Sequence, residues 1–409
     1  MMNTLRTKFS EEDIDNAKKY KYNGKDNSIF VKLFLRSFWD WCIQYVPKNI
    51  APNLITFTGF LIEFFTFWVS LFSSNFLAQE IPRWLCFLNG ISLFVYQTLD
   101  NLDGRQARRT NSSSPLGQFF DHGCDAITGV SELIKVVATL NLGQTYVSFN
   151  FVFLMSIGFY FTSVEEYVLH EFNLGFINGP DEGLLILAFV HVFVGIFPSS
   201  KKLFNNVFSY LIYTAGVIWI LSSIFINIFK KYNGEKDKLM RFLGATGYVM
   251  ISIVIFLTFG YGIDICAKNP FFIMASSLVL QFQSQNIILA FLTKRPPVKL
   301  FTPSTITVWS LALVVFIFVY LSGVLNYWAL YFTLVLCIII LFDVDVCLGL
   351  SIGLDIPVFT LKAQEEEEKI DFEIFDNNEM EEDEENPEEP KENVEETKEI
   401  PLNVFKDGE

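Results

Sequence analysis

Long apolar runs separated by short polar links dominate the chain. Crossing about 30 Å of hydrocarbon at 1.5 Å per residue takes about 20 apolar residues. Ten runs reach or approach that length: 54–72, 84–99, 119–140, 146–163, 183–197, 207–229, 242–263, 271–292, 306–321 and 327–350, the fifth being short. The pattern predicts an all-α polytopic membrane protein with about ten transmembrane helices. Ahead of the first span, residues 29–46 mix aromatics with sparse charges and stop at Pro47. That reads as an N-terminal amphipathic helix, either lying in the membrane interface or packed on the bundle's cytosolic side. Residues 1–32 are polar and mixed in charge, so neither a secretory signal nor a transit peptide is expected.

Composition strengthens the membrane reading: 51% of the residues are hydrophobic and 45 are Phe. The net charge of −15 belongs to a tail, because residues 364–409 hold 21 acids and four lysines while the remainder carries 24 acids and 26 bases. Blocks of Glu and Asp with Pro387, Pro390 and few aromatics cannot bury enough apolar surface to order, so a disordered tail is expected. Lys and Arg concentrate in the N-terminal segment and in the links 104–115, 230–241 and 294–299, which predicts cytosolic termini, with Lys201–Lys202 an exception. Six cysteines lie in or beside apolar segments without paired spacing, so neither a disulfide framework nor a zinc site is expected.

One link carries chemistry. Asp100 and Asp103 share a helix face at the end of the second span, and Asp121 and Asp125 share one at the start of the third. Four carboxylates at membrane depth are costly unless cations neutralise them. Oxygen-only ligands suit hard ions, Mg²⁺ or Mn²⁺, which bind through carboxylates together with substrate phosphates. Gly104 and Ala107 thin the surface beside Asp103 for a nucleotide or diphosphate, and Arg105, Arg108 and Arg109 offer donors, Arg108 being the best placed.

The eight residues Asp100, Asp103, Gly104, Ala107, Arg108, Gly117, Asp121 and Asp125 match, without a gap, the signature of the CDP-alcohol phosphatidyltransferase family. Residues 51–56, 106–117, 121–125, 165–167 and 178–183 resemble its eukaryotic cholinephosphotransferase and ethanolaminephosphotransferase branch, a likeness covering about residues 20–350. The resemblance implies transfer of phosphocholine or phosphoethanolamine from CDP-choline or CDP-ethanolamine to diacylglycerol, releasing CMP. It also implies two metal ions held by Asp100, Asp103, Asp121 and Asp125, with Asp125 a ligand, a base or both. Asn53, Gly104, Ala107, Arg108 and Gly117 would bind substrate, although Asn53 also fits a helix cap after Pro52. His122 suits proton transfer at neutral pH. The family branch commonly has Glu where this chain has Gln118, which cannot accept the proton, so Asp125 and His122 both remain candidate bases.

Glu132, two turns beyond Asp125, is expected to line the cavity, whereas His170 and His191 are read as ordinary polar residues. The sequon at Asn111 falls on the predicted cytosolic face and is discounted. The domains implied are a cytosolic segment 1–49, a transmembrane catalytic domain 50–350 and an acidic tail 351–409. The resemblance also points to the endoplasmic reticulum or Golgi, with the active site cytosolic; no nucleic-acid partner is expected, and a homodimer is compatible with it. A family relative acting on CDP-diacylglycerol, such as a phosphatidylinositol synthase, and a polytopic transporter are the alternatives.

Overall fold

Proline and polar caps open most of the long helices. Pro52 starts α3 (Pro52–Ser73). Arg83 follows Pro82 at the head of α4 (Arg83–Arg109). In α5 (Pro115–Leu140) the Ser114 hydroxyl caps the Gly117 amide at 3.1 Å. Each arrangement satisfies or removes N–H groups that a helix start leaves bare. Two shorter helices precede these, α1 (Glu11–Lys18) and α2 (Arg36–Cys42), the latter continuing a π-helical turn. Then follow α6 (Tyr146–Leu169), α7 (Leu184–Ile196), α8 (Val207–Lys231), α9 (Lys236–Gly262), α10 (Pro270–Leu292), α11 (Pro303–Ser322) and α12 (Tyr327–Leu354). This computed structural model describes residues 9–362 apart from 22, 27, 175–178, 205–206, 263 and 325. The expected disordered tail beyond residue 362 lies outside the described residues.

The architecture is that of an all-α polytopic membrane protein. Seven described helices are long and apolar enough to span a membrane: α3, α6, α8 from Thr214, α9, α10, α11 and α12. Of the other three expected spans, α4 and α5 have 27 and 26 residues, but Asn89, Gln97, Glu132, Lys135 and the aspartates dilute their apolar content. The short fifth run becomes the 13-residue α7. Helix α10 is the hub, buried nearly throughout and packed on α5, α6 and α12. Helix α4 lies against α3 and α7, and α5 against α3.

The N-terminal segment is tied to the bundle at three places. Ser10 and Asp13 form a capping box on α1, Asp13 makes a two-point ion pair with Arg295 (3.0 and 2.9 Å), and Asn16 donates to the Thr293 carbonyl. Burial pushes the Asp13 carboxyl up, but hydrogen bonds and charge from Arg295, with the Ser10 amide, bring it down to about 2. A three-residue strand β1 (Gly24–Asp26) pairs in parallel with β2 (Phe172–Leu174), a feature too short to read from sequence. Along α2 and the turn before it, Val31, Leu35 and Trp39 pack inward at four-residue spacing, while Leu33, Phe34, Trp41 and Tyr45 are exposed. One face of this helix packs on the bundle, and the other presents exposed apolar side chains.

Candidate active site

Helices α4 and α5 are joined by the five residues 110–114, short enough to bring the end of one beside the start of the other. Carboxylate oxygens of Asp100, Asp103 and Asp121 lie within 4.8 Å of one another, the arrangement expected of a cation site. Asp125 stands one turn further along α5, outside that three-residue group, and accepts a short hydrogen bond from the Tyr96 hydroxyl. Asp103 accepts one from Thr56 on α3. Asp100 Oδ1 and Asp121 Oδ1 are buried and have no hydrogen-bond donor among the described residues. Three converging carboxylates with two such bare oxygens fit a divalent cation, whose charge would offset their repulsion and desolvation.

The three arginines part company. Arg105 stacks over Trp39 at 5.1 Å and binds Asp40 (3.0 Å) and the Asn101 carbonyl. Arg109 donates to the carbonyls of Ile43 and Val46 and to the Gln106 side chain. Both are spent on holding the 29–46 segment, which corrects the expectation that all three serve phosphate. Arg108 is exposed, and its guanidinium, which has no hydrogen-bond partner among the described residues, lies over Gly104, 3.5 Å from where a Cβ would stand. Ala107, one residue before it, is half-buried.

Asn53 does not cap α3, whose N-cap is Ala51. Its amide donates to the Val358 carbonyl at 2.8 Å, and its Oδ1 faces Gly117, 3.5 Å from where a Cβ there would stand. His122 Nδ1 contacts both the Gln118 carbonyl (3.1 Å) and the Gln118 amide (3.2 Å), while Nε2 faces Glu166 of α6 at 3.7 Å. Glu166 is 3% exposed, and its Oε2 has no hydrogen-bond partner among the described residues. A carboxylate therefore faces the imidazole after all, supplied by a different helix from the one carrying Gln118.

Glu132 does not line the site. It pairs with Lys135 (2.8 Å) and accepts from His191 Nε2 (2.8 Å); Lys135 also binds Glu63, and His191 Nδ1 meets Thr139. This buried network crosses from α3 to α5 to α7 and turns His191 from an ordinary polar residue into one of its members. His170 instead ends α6 in the left-handed conformation at φ 54°. Tyr96, Thr56 and Glu166 were missed as site neighbours; only Thr56 and Glu166, inside segments that resemble the family branch, carried any signal.

Residues 49–219 match the family model described as CDP-alcohol phosphatidyltransferase. This matching segment contains the whole aspartate cluster and its neighbours on α3 to α6. An uncharacterized CDP-alcohol phosphatidyltransferase class-I family protein 3 from Dictyostelium discoideum is 44% identical over 189 residues, 46% of this chain and 47% of that one. Choline/ethanolaminephosphotransferase 1 of Arabidopsis thaliana is 40% identical over 178 residues, 44% and 45% of the two chains. Cholinephosphotransferase 1 of Saccharomyces cerevisiae is 37% identical over 187 residues, 46% and 48%. In these alignments the chain spans about half the length of its curated relatives. The six cysteines are all free.

Proposed function

We propose that the protein transfers phosphocholine or phosphoethanolamine from the CDP-alcohol to the free hydroxyl of diacylglycerol, giving the phospholipid and CMP. The observation that carries this reading is the convergence of Asp100, Asp103 and Asp121 with two bare, buried oxygens. These three carboxylates, with Asp125 beside them, would hold two Mg²⁺ or Mn²⁺ ions, which would supply positive charge against the diphosphate and the departing CMP.

The chain's own groups do the rest. Arg108 and the thin surface at Gly104 receive the diphosphate, and Asn53 and Gly117 flank the nucleotide. His122 takes the proton from the lipid hydroxyl as its oxygen attacks the outer phosphorus and the bond to CMP breaks. Glu166 faces the imidazolium so formed, which supports His122 over Asp125 as base, since Asp125 is already engaged by Tyr96. The Lys/Arg-rich links support a cytosolic active site, and the family likeness supports the endoplasmic reticulum or Golgi membrane, with residues 50–350 as the catalytic domain, preceded by segment 1–49 and followed by the acidic tail 351–409.

The test is purified protein with diacylglycerol, Mg²⁺ or Mn²⁺, and CDP-choline or CDP-ethanolamine separately. Phospholipid and CMP in equal amounts are expected. Activity only with CDP-diacylglycerol and a soluble alcohol would overturn the reading.

A further inference from the structure

Helix α10 is buried along almost its whole length, yet Ser277, Gln281, Ser284 and Gln285 form a polar stripe on one of its faces. Each of these side chains is at most 2% exposed, and Ser277 Oγ, Gln281 Oε1, Ser284 Oγ and Gln285 Oε1 have no hydrogen-bond partner among the described residues. Gln285 shows what the stripe fronts. Its Nε2 lies 3.3 Å from the Gly123 carbonyl on α5 and 3.2 Å from Asp343 Oδ2 on α12. The second oxygen of Asp343 is bare as well, and a Cβ on Gly123 would stand 3.6 Å from that carboxylate. Gln285 and Asp343 thus meet in one seam, and with the three other side chains of the stripe they make five with unmet hydrogen-bonding capacity. Buried polar groups are rarely left so, and least of all where no bulk water competes.

We propose that the seam between α5, α10 and α12 seats the glycerol and ester groups of a neutral diacyl glycerolipid, the acceptor in the reaction proposed above and a reading that rests on it. The serine hydroxyls donate to ester carbonyls, and the amide and carboxylate oxygens accept from a free hydroxyl. Asp343 repels a phosphate, so the site favours an uncharged glyceride. Phe342 lies next to Asp343 and meets Phe119 and Phe282 at ring distances of 6.2 and 5.1 Å, an aromatic wall suited to acyl chains. The seam also adjoins the chemistry. His122 precedes Gly123 and sits about 100° round α5, turned toward α6, on which α10 also packs.

The test uses the full chain in nanodiscs with a diacylglycerol carrying a photoreactive diazirine near the ester, followed by peptide mapping. Labelling of α5, α10 and α12 peptides is expected, reduced at least fivefold in Gln281→Leu with Ser284→Ala. In the same variant KM for diacylglycerol rises about tenfold or more, the loss of two hydrogen bonds, while KM for the CDP-alcohol stays within twofold. Labelling elsewhere, unchanged labelling in the variant, or an equal rise in both KM values overturns the seam. Wild-type labelling needs no variant to fold. Labelling of the seam without transfer from a CDP-alcohol would sink the proposed function and keep the seam; transfer without labelling there would do the reverse.

Discussion

Replacing Lys135 with Met leaves Glu63 and Glu132 facing one another in the bundle interior, with only His191 to offset them. All three of the original charged side chains are at most 2% exposed, so water cannot compensate. Breaking a buried ion pair from one side costs about 3–5 kcal/mol. With an unfolding entropy of about 2.1 cal/mol/K per residue over some 350 ordered residues, that becomes a fall in Tm of about 4–7 °C. The assay is thermal unfolding of the purified protein in one detergent, followed by tryptophan fluorescence. Adding Glu63→Gln to Lys135→Met removes the stranded charge and restores about half of the loss. The network also bears on the active site, because it fixes α5 against α3 and α7 two turns beyond Asp125. A Lys135→Met protein melting within 1 °C of wild type would refute this reasoning.

Other consequences are open to direct measurement. The Asp13 carboxyl, held near 2 when folded against an ordinary 3.8, adds stability that is fully present above pH 4 and lost as pH falls toward 2. After solvent screening this is about 1 kcal/mol, and Asp13→Asn should flatten the Tm profile across that window. Arg108→Ala should raise KM for the CDP-alcohol about tenfold or more, whereas Arg105→Ala, which removes a contact with Trp39 and Asp40, should lower Tm slightly and leave KM unchanged. His122→Ala should cut kcat by about 10²–10⁴ with Mn²⁺ binding intact; a loss of Mn²⁺ binding would make it a structural residue instead.

The aspartate spacing was legible because i, i+3 and i, i+4 pairs at two adjoining helix ends leave few arrangements other than convergence. The helices were legible from apolar runs, though α4 and α5 show how the residues that make a site also weaken the signal that marks a span. What escaped were partners from distant sequence. Glu166 meets His122 only because α6 packs beside α5, and Lys135 neutralises Glu63 across 72 residues. Arg105 and Arg109 read as further phosphate donors beside Arg108, since spacing on one helix does not reveal that segment 29–46 lies against two of them. The polar stripe on α10 was invisible for a related reason: in a run that reads as a lipid-facing span, four small or amide side chains scarcely change the hydropathy.

The claim that Asp100, Asp103 and Asp121 jointly hold a divalent cation is tested most directly by electron paramagnetic resonance titration of Mn²⁺ into the purified protein. Wild type should bind Mn²⁺ and release it to EDTA, and Asp121→Asn should weaken binding at least tenfold while Tm stays at or above wild type. Equal Mn²⁺ affinity in wild type and Asp121→Asn would contradict the account.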